Sequence, residues 1–268
     1  MASLDPQGGG VVSAARRILL LLAVPVLLVA AWWTATADST NFFWPPLSQI
    51  AGTFGETWFT GRFADDVLPS LARLLAGYLV AVALGVGLGT AIGSSPALRG
   101  LLEPVLEFFR AIPPPVLVPI LMLFAGIGNG MKVLVIVSGC VWPVLLNTVE
   151  GVRALDEVLR DTARSYRMRR RSRLIHLVLR GASPQIAAGA RQALSIGIIL
   201  MVISEMFAAS NGVGFTIIQF QRSFAIPQMW TGIILLGLIG IALSMIFRWA
   251  EARLLRWYTG LRMSQREG

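Results

Sequence analysis

Six long apolar segments with little or no charge alternate with polar segments along the chain. They cover residues 18–37, 68–93, 111–127, 131–149, 184–207 and 229–247. Because a helix of about 20 apolar residues crosses the hydrocarbon core of a bilayer, each segment predicts one membrane-spanning helix. The pattern therefore predicts an all-α, polytopic membrane protein with about six transmembrane helices.

The composition agrees with a membrane protein. Hydrophobic residues make up 55% of the 268 positions and charged residues 14%, too large an apolar surplus for one soluble core. Six crossings and their loops use most of this length, so no second soluble domain is expected. A single cysteine, Cys140, and a single histidine, His176, exclude an internal disulfide and any site built from several histidines. We therefore expect no catalytic centre, no metal and no cofactor in this chain.

The charges between the apolar segments predict the orientation of the chain. Residues 38–67 contain one cation, Arg62, against four acidic residues, whereas residues 150–183 contain nine arginines against four acidic residues. Cytoplasmic loops carry the excess of arginine and lysine, so the first loop is expected outside and the second inside. Both termini of a six-span plasma (inner) membrane protein are then cytoplasmic. This topology explains the net charge of +9, and no nucleic-acid partner is expected because no nucleic-acid module is recognisable.

These assignments divide the chain into four parts. They are a cytoplasmic tail (1–16), the first transmembrane helix with its extracytoplasmic loop (17–67), a core transmembrane domain (68–250) that includes a cytoplasmic loop at 150–183, and a cytoplasmic tail (251–268). An alternative for the first segment is a cleavable signal, because Arg16 and Arg17 precede it and an A-x-A triplet ends it. Its length and the interfacial pair Trp32 and Trp33 favour a retained helix.

Two features of the apolar segments predict how they pack. Small residues recur every fourth position of the second segment, at Gly77, Ala81, Gly85, Gly89 and Gly93, and predict a face on which another backbone approaches closely. The third segment carries Pro113, Pro114 and Pro115, so an extended or kinked start is expected there. Such a start either lines an internal cavity or subunit contact or is a simple interfacial loop.

The cytoplasmic loop carries a recognisable order of residues within a stretch, 156–179, that is predicted to be helical with a polar face. Asp161, Thr162 and Ala163 are followed by Arg167 and, after nine residues, by the apolar group 177–179. The flanks add residues 110–119, Gly126-Ile127-Gly128, Ser204-Glu205-Met206-Phe207 with Gly212-Val213-Gly214, and Trp249-Ala250-Glu251. Together, over residues 68–257, these motifs resemble the inner-membrane permeases of binding-protein-dependent ABC importers, in the nitrate, sulfonate, taurine and bicarbonate branch.

The resemblance implies a type I ABC importer permease fold, in which this loop forms a coupling helix that enters a groove of a separate ATPase subunit. The residues that correspond to the coupling motif are Asp161, Thr162, Ala163, Arg164, Arg167, Leu177 and Leu179. The chain departs from the family pattern at Thr162, which replaces an alanine, at Arg167, which replaces a glycine, and at Arg180, which replaces a proline. Because arginine disfavours positive φ, the sequence leaves the shape of the turn at Arg167 open.

The resemblance also implies the partners. The chain contains no G-x-x-x-x-G-K-[ST] sequence, so ATP is expected to bind to the partner ATPase and not to this chain. Family members work with an extracytoplasmic solute-binding protein and as pairs of permeases, and a homodimer is expected here. Membrane lipid is a further partner, and the run 169–171 of three arginines is suited to anionic head groups.

A few polar residues within the apolar segments are candidates for function. Glu205 is expected to cap amides of the loop 211–214, with contact to the binding protein as the alternative. Arg73 is expected to snorkel towards the membrane surface. The proposed translocation path consists of Asn147, Ser195, Ser204 and Glu205, with interhelical hydrogen bonds as the structural alternative for the first three.

The function implied by the resemblance is that of a permease subunit of an ABC importer, and not of an enzyme. Its cargo is expected to be a small solute such as a sulfonate, nitrate or similar oxyanion. Alternatives are a vitamin precursor or aromatic acid carried by the same class of permease, or an ATP-independent secondary transporter. The last class would show charges at mid-membrane or paired broken segments, and no inverted repeat is visible here.

Overall fold

The computed structural model describes residues 9–207 and 209–258, with side chains from residue 23 onwards. Its helices are α1 (Gly9–Thr36), α2 (Leu47–Trp58), α3 (Leu68–Ser94), α4 (Pro96–Ala111), α5 (Leu117–Ala125), α6 (Asn129–Arg153), α7 (Glu157–Ser165), α8 (Arg170–Ser172), α9 (Arg180–Phe207), α10 (Val213–Arg222) and α11 (Ile226–Leu254). Short π-helical stretches, Phe63–Val67 and Arg173–Leu179, lead into α3 and α9. The described residues contain no strand, and the prediction of an all-α protein is confirmed.

Most of the predicted spans are present as long helices. Within the described residues, α3, α6, the continuous stretch 170–207 and α11 are each long and apolar enough to cross a membrane. A further candidate is formed by α4 and α5 together. The first predicted span corresponds to α1, a helix of 28 residues, of which the apolar part 23–36 has described side chains. Residues 1–8 and 259–268, which belong to the two predicted tails, lie outside the described residues.

The prediction that residues 111–127 cross the membrane by themselves is wrong. α4 ends at Ala111, and α5 has nine residues, which at 1.5 Å per residue span only about 14 Å. The chain between them is extended at Ile112 and Pro113, because the following prolines lack amide donors and disfavour helix at the residue before each of them. The two helices are bent by 74° at this break, so the candidate span needs both of them. The expected kinked start is thus present.

The glycine stripe of α3 lies against α6. A Cβ atom added at Gly77 would be 2.7 Å from Ile136 Cγ2, and one added at Gly85 would be 2.7 Å from Val144 Cβ. On the other side of α6, a Cβ at Gly189 of α9 would be 2.6 Å from the Pro143 carbonyl oxygen. The three backbones therefore approach as closely as the small residues allow, and they enclose a core that contains Leu74, Val135, Ile136, Cys140, Val144, Leu200 and Met201.

The two ends of this bundle carry different elements. The Glu205 end is where α3 and α6 begin and α9 ends, and there α2 and α10 pack on α11 around Trp58, whose indole donates to Thr231 Oγ1 at 2.9 Å. α1 is attached at the same end through the rings of Trp32, Trp44 and Trp230. The α7 end is the opposite one, where α6 ends and α9 begins. The candidate functional residues are divided between these two ends.

The close approach of α3 and α6 makes a stability prediction. We expect Gly85→Ala to destabilise the protein by about 1–3 kcal/mol, because its Cβ would overlap Val144 and approach the Leu145 amide nitrogen to 3.0 Å. The control is Gly87→Ala on the exposed face of the same helix, which has no atom within 4 Å and is expected to be neutral or stabilising. Thermal unfolding of the purified protein in detergent measures both. Equal midpoints for the two variants would contradict the proposed contact.

Candidate coupling loop and transmembrane polar groups

The loop between α6 and α9 contains a short helix, α7, at the end of the bundle. α7 begins after Asp156, whose carboxylate caps the helix by accepting a hydrogen bond from the Val158 amide at 2.8 Å. It ends at Ser165, and residues 166–169 form a turn before α8. Most of the stretch 156–179 is helical, as predicted, and this turn at residues 166–169 divides it.

The turn after α7 depends on Arg167, which has a φ of 48°. Its amide donates to the Arg164 carbonyl at 2.9 Å, and the Met168 amide donates to the Ala163 carbonyl at 3.0 Å. These two bonds form a Schellman motif, in which the residue at Arg167 must take the left-handed conformation that glycine adopts most easily. Arginine occupies that conformation here, so the turn forms without the family's glycine.

The coupling-motif residues lie on two sides of α7 and of the stretch that follows it. Asp161, Thr162 and Arg164 are exposed, whereas Ala163 is buried against the bundle. Leu177 and Leu179 are half-buried in the π-helical stretch, where Leu177 and Arg164 line a small cavity of about 140 Å³ beneath α7. The motif therefore combines an outward-facing part and an inward-facing part.

Exposed apolar residues extend the outward-facing surface of α7 beyond the motif. Tyr166 is 81% exposed and Val158 is 70% exposed, and Leu159 lies beside them. Sequence reasoning missed these three residues. They could have been found as large apolar side chains within a highly charged stretch. On the inner side, the guanidinium of Arg160 donates to the Val152 carbonyl and joins α7 to the last turn of α6.

A buried ion pair lies at the Glu205 end. The Arg73 guanidinium donates to the Glu205 carboxylate at 2.7 Å, and the two side chains are 5% and 0% exposed. The Ser70 hydroxyl, at 2.8 Å from one carboxylate oxygen, and the Gly214 amide, at 3.0 Å from the other, complete the hydrogen bonds of Glu205. The expected cap of the loop 211–214 by Glu205 is therefore present. The prediction that Arg73 snorkels to the surface is wrong, because it turns inward to this carboxylate.

Further bonds tie the α9–α10 loop to α3 and α6. The Arg73 Nε donates to Asn129 Oδ1 at 2.8 Å, and its Nη1 donates to the Asn211 carbonyl at 3.1 Å. Gly212 has a φ of 122° and its amide donates to Asp66 Oδ1 at 2.9 Å. A Cβ at Gly212 would lie 2.5 Å from Glu205 Cδ, so only glycine allows this approach. The contacts of Arg73 with Asn129 and Asn211 were missed, because nothing in the sequence indicates that positions 73, 129 and 211 lie close together.

The residues proposed for the translocation path occupy different surroundings. Ser195 is exposed on α9, and Asn147 is half-buried on α6 with its amide donating to the Pro143 carbonyl at 2.8 Å. Ser204 donates to the Met201 carbonyl at 2.9 Å and, like Glu205, has no exposed surface. The structure thus separates the four residues into one exposed, one partly covered and two enclosed.

α9 carries an exposed stripe that the sequence analysis did not identify. It contains Ala188, Gln192, Ser195 and Ile199, which recur with helical spacing, and Gln185 lies at its edge. Arg191 lies at the other edge, where its guanidinium pairs with the Glu251 carboxylate of α11. Two glutamines and a serine therefore face outward from a helix that is long and apolar enough to cross a membrane.

In the part of the chain that the structure describes, no group of three or more histidine, cysteine, aspartate or glutamate side chains is placed to hold a metal ion. A bundle of long apolar helices with an exposed amphipathic helix at one end is the architecture of a polytopic membrane protein. The comparison with known families makes this specific: residues 81–259 match the family described as binding-protein-dependent transport system inner membrane component. The chain belongs to this family. It is a multi-pass transport permease of the inner membrane and not an enzyme, and ATP is bound by a partner ATPase.

Named relatives agree with this family. The chain is 30% identical to the taurine transport system permease protein TauC of Escherichia coli (strain K12) over 223 residues, which are 81% of this chain and 80% of TauC. It is 29% identical to a putative aliphatic sulfonates transport permease, SsuC of Bacillus subtilis (strain 168), over 80% of this chain and 77% of SsuC. It is also 29% identical to the bicarbonate transport system permease protein CmpB of Synechococcus elongatus, over 71% of this chain and 69% of CmpB.

Solved structures share the fold at lower identity. A chain of the MetNI methionine ABC transporter in an inward-facing conformation aligns with a TM-score of 0.58 at 19% identity, over 71% of this chain and 93% of that one. A chain of an amino acid ABC transporter aligns with a TM-score of 0.55 at 16% identity, over 81% of this chain and 99% of that one. The expected type I ABC importer permease fold is confirmed.

The buried ion pair makes a second stability prediction. We expect Glu205→Gln to cost about 3–5 kcal/mol, because it leaves the Arg73 charge buried without its partner. Glu107→Gln is the control, since it removes the carboxylate of an exposed pair with Arg110 and is expected to cost at most about 1 kcal/mol. Thermal unfolding in detergent compares the two. A Glu205→Gln protein as stable as Glu107→Gln would show that the pair does not hold the α9–α10 loop.

Proposed function

We propose that α7 is the element through which the ATPase subunit moves the transmembrane helices. The residues assigned to this role are Asp161, Thr162, Ala163, Arg164, Arg167, Leu177 and Leu179, with Val158, Leu159 and Tyr166 added from the exposed surface. The observation that carries the proposal is the exposure of large apolar side chains on a helix that is not a membrane span. Such a surface is typical of a site that binds another protein.

α7 is joined to helices of the core at two points, through Arg160 within it and through the turn that follows it. Arg160 links it to the last turn of α6 through the Val152 carbonyl. The Schellman turn at Arg167 links it to α8 and the π-helical stretch that continues into α9. Because α6 and α9 pack closely on each other, a displacement of α7 acts on both helices together. The burial of Ala163 supports this transfer of movement, because it holds α7 in contact with the residues beneath it.

We propose that the solute passes along the exposed stripe of α9, between two copies of the chain. Outward-facing glutamine and serine side chains at membrane depth are unfavourable against lipid, so protein or water is expected to cover them. Ser195 and Gln192 lie on this surface, and Asn147 lies beside α9 on α6. We assign Ser204 and Glu205 to the same path as its support, because Glu205 fixes the loop between α9 and α10 and Ser204 is enclosed next to it.

The names of the relatives favour an anionic cargo. The three relatives described above are named as permeases for taurine, aliphatic sulfonates and bicarbonate, and each of these solutes carries an anionic oxygen group. We propose that this chain passes a small oxyanion or sulfonate inward, delivered by a solute-binding protein and driven by the ATPase subunit. The permease is proposed to act as a homodimer.

We propose that the α7 end is cytoplasmic and the Glu205 end extracytoplasmic. This orientation places the nine arginines of residues 150–183 inside, in agreement with the distribution of arginine in membrane proteins. Both termini are then cytoplasmic. The division into residues 1–16, 17–67, 68–250 and 251–268 follows from the same orientation, and the separate attachment of α1 through its aromatic cluster supports it.

The coupling proposal predicts that Tyr166→Asp releases the ATPase subunit. A buried, unpaired carboxylate in the contact is expected to weaken it by a few kcal/mol, which is a loss of affinity of about a hundredfold. Phe59→Asp is a matched control, because Phe59 is 82% exposed at the opposite end of the molecule. The measurement is co-purification of the ATPase subunit and, in vesicles, ATP hydrolysis stimulated by the binding protein with taurine or bicarbonate.

The two proposals have separate contradicting outcomes. Full retention of the ATPase subunit and full stimulation in Tyr166→Asp would contradict the coupling proposal. Absence of stimulation by any anion in the unmodified complex would contradict the cargo proposal.

The path proposal predicts that position 195 is reached by water. The only native cysteine, Cys140, has no exposed surface, so a single introduced thiol can be followed. We expect Ser195→Cys to react with a water-soluble maleimide, and Ala242→Cys, an exposed position on α11, to react at least about tenfold more slowly, because a thiolate forms in water and not in lipid. Modification at position 195 is also expected to stop uptake. Equal, slow reaction at both positions would place the α9 stripe in lipid and refute the proposal.

A further inference from the structure

A cavity of about 580 Å³ lies between α3, α9 and α11, apart from both α7 and the exposed stripe of α9. Its walls are mostly apolar and include Val82, Ile186, Ala190, Phe247, Leu254 and Trp257. α11 is fastened to the core at the Glu205 end through Thr231 and Leu235. Towards the α7 end, Arg191 of α9 pairs with Glu251 of α11, and beside this pair lies the cavity, which we call the α9–α11 groove.

The length and position of the groove match one leaflet of a bilayer. Along α9 its lining extends from Arg180 to Ala190, and ten residues of α-helix span about 15 Å. This is half of the hydrocarbon thickness of about 30 Å. With Arg180 at the level of the head groups, the other end of the groove, near Tyr78, falls at the level of the bilayer centre.

The head-group end of the groove carries a cation. Arg180 lines it, with its guanidinium 5.3 Å from the centre of the Trp257 ring. Within the described residues, no carboxylate forms an ion pair with Arg180, and the carboxylate of Glu251 in the same groove is engaged by Arg191. A tryptophan at this level is typical of the membrane–water interface. The groove thus combines a cationic end with an apolar interior.

We propose that the α9–α11 groove binds one phospholipid with an anionic head group. The head group pairs with Arg180, and an acyl chain lies along the apolar wall towards Tyr78. Basic pockets between transmembrane helices on the cytoplasmic side are suited to anionic lipids, and the apolar wall favours an acyl chain over water. The lipid would fill the space that the side chains of α3, α9 and α11 leave open beside the Arg191–Glu251 pair. Only the choice of leaflet rests on the proposed orientation; the binding itself does not depend on the transport function.

The test is a lipid titration of the full chain, purified and delipidated in detergent. Native mass spectrometry counts bound phosphatidylglycerol and bound phosphatidylcholine with identical acyl chains. We expect one phosphatidylglycerol to bind about tenfold more tightly than phosphatidylcholine, since a single charge-assisted contact contributes about that factor. Arg180→Gln is expected to abolish the preference, and Arg180→Lys to keep most of it. The control is Arg253→Gln, because Arg253 also stacks on a tryptophan, Trp249, but does not line the groove.

A second variant tests the groove independently of the charge. Ala187→Trp fills the space beside α9 and is expected to reduce the binding of both lipids while the helical circular dichroism is unchanged. The proposal is overturned if the unmodified chain binds the two lipids equally, or if Arg180→Gln keeps the preference. It is also overturned if Ala187→Cys forms a disulfide between two copies of the chain, because a second copy then occupies the groove. None of these results depends on whether the chain couples to an ATPase.

Discussion

Arg73 and Glu205 bring opposite charges into the Glu205 end of the core, and neither charge could be enclosed there without the other. The consequences reach beyond the pair. Glu205 holds the Gly214 amide and Arg73 holds the Asn211 carbonyl, so the loop between α9 and α10 is fixed to α3. α10 in turn packs with α2 on α11. The position of the last transmembrane helix therefore depends on a charge pair formed by two other helices.

Different kinds of contact hold the helices of the bundle together at different levels along its length. Charges and hydrogen bonds fasten the Glu205 end, and glycine contacts bring α3, α6 and α9 together along the bundle as far as Gly93 and Gly151 near the α7 end. In the coupling proposal, a subunit that displaces α7 would act on helices that are packed together at that end. Because α6 and α9 are packed closely on each other, they would then move as a pair, and the enclosed ion pair at the far end would be the fixed point.

The sequence was sufficient for features that depend on local pattern and insufficient for those that depend on distant contacts. Apolar length identified the long spans, and the small-residue stripe from Gly77 to Gly93 marked a real interface. Hydropathy could not show that residues 111–127 cross only together with α4, because apolar length does not reveal a bend. It also could not direct Arg73 to a carboxylate 132 positions away, since a snorkelling and a paired arginine look alike in sequence. Gln192 was overlooked because a neutral side chain in an apolar segment attracts attention only when its exposure is known.

The distribution of cations has a consequence for how a proposed oxyanion cargo would be handled. A fixed cation on the exposed stripe of α9 would bind such a solute strongly, and strong binding slows release. The stripe instead offers the neutral groups of Gln192 and Ser195, while the nearest arginine, Arg191, has its charge met by Glu251. Arg73 is likewise occupied by Glu205. Under the path proposal, neutral hydrogen-bonding groups would hold an anion weakly and let it pass, and selection among anions would fall to the protein that presents the solute.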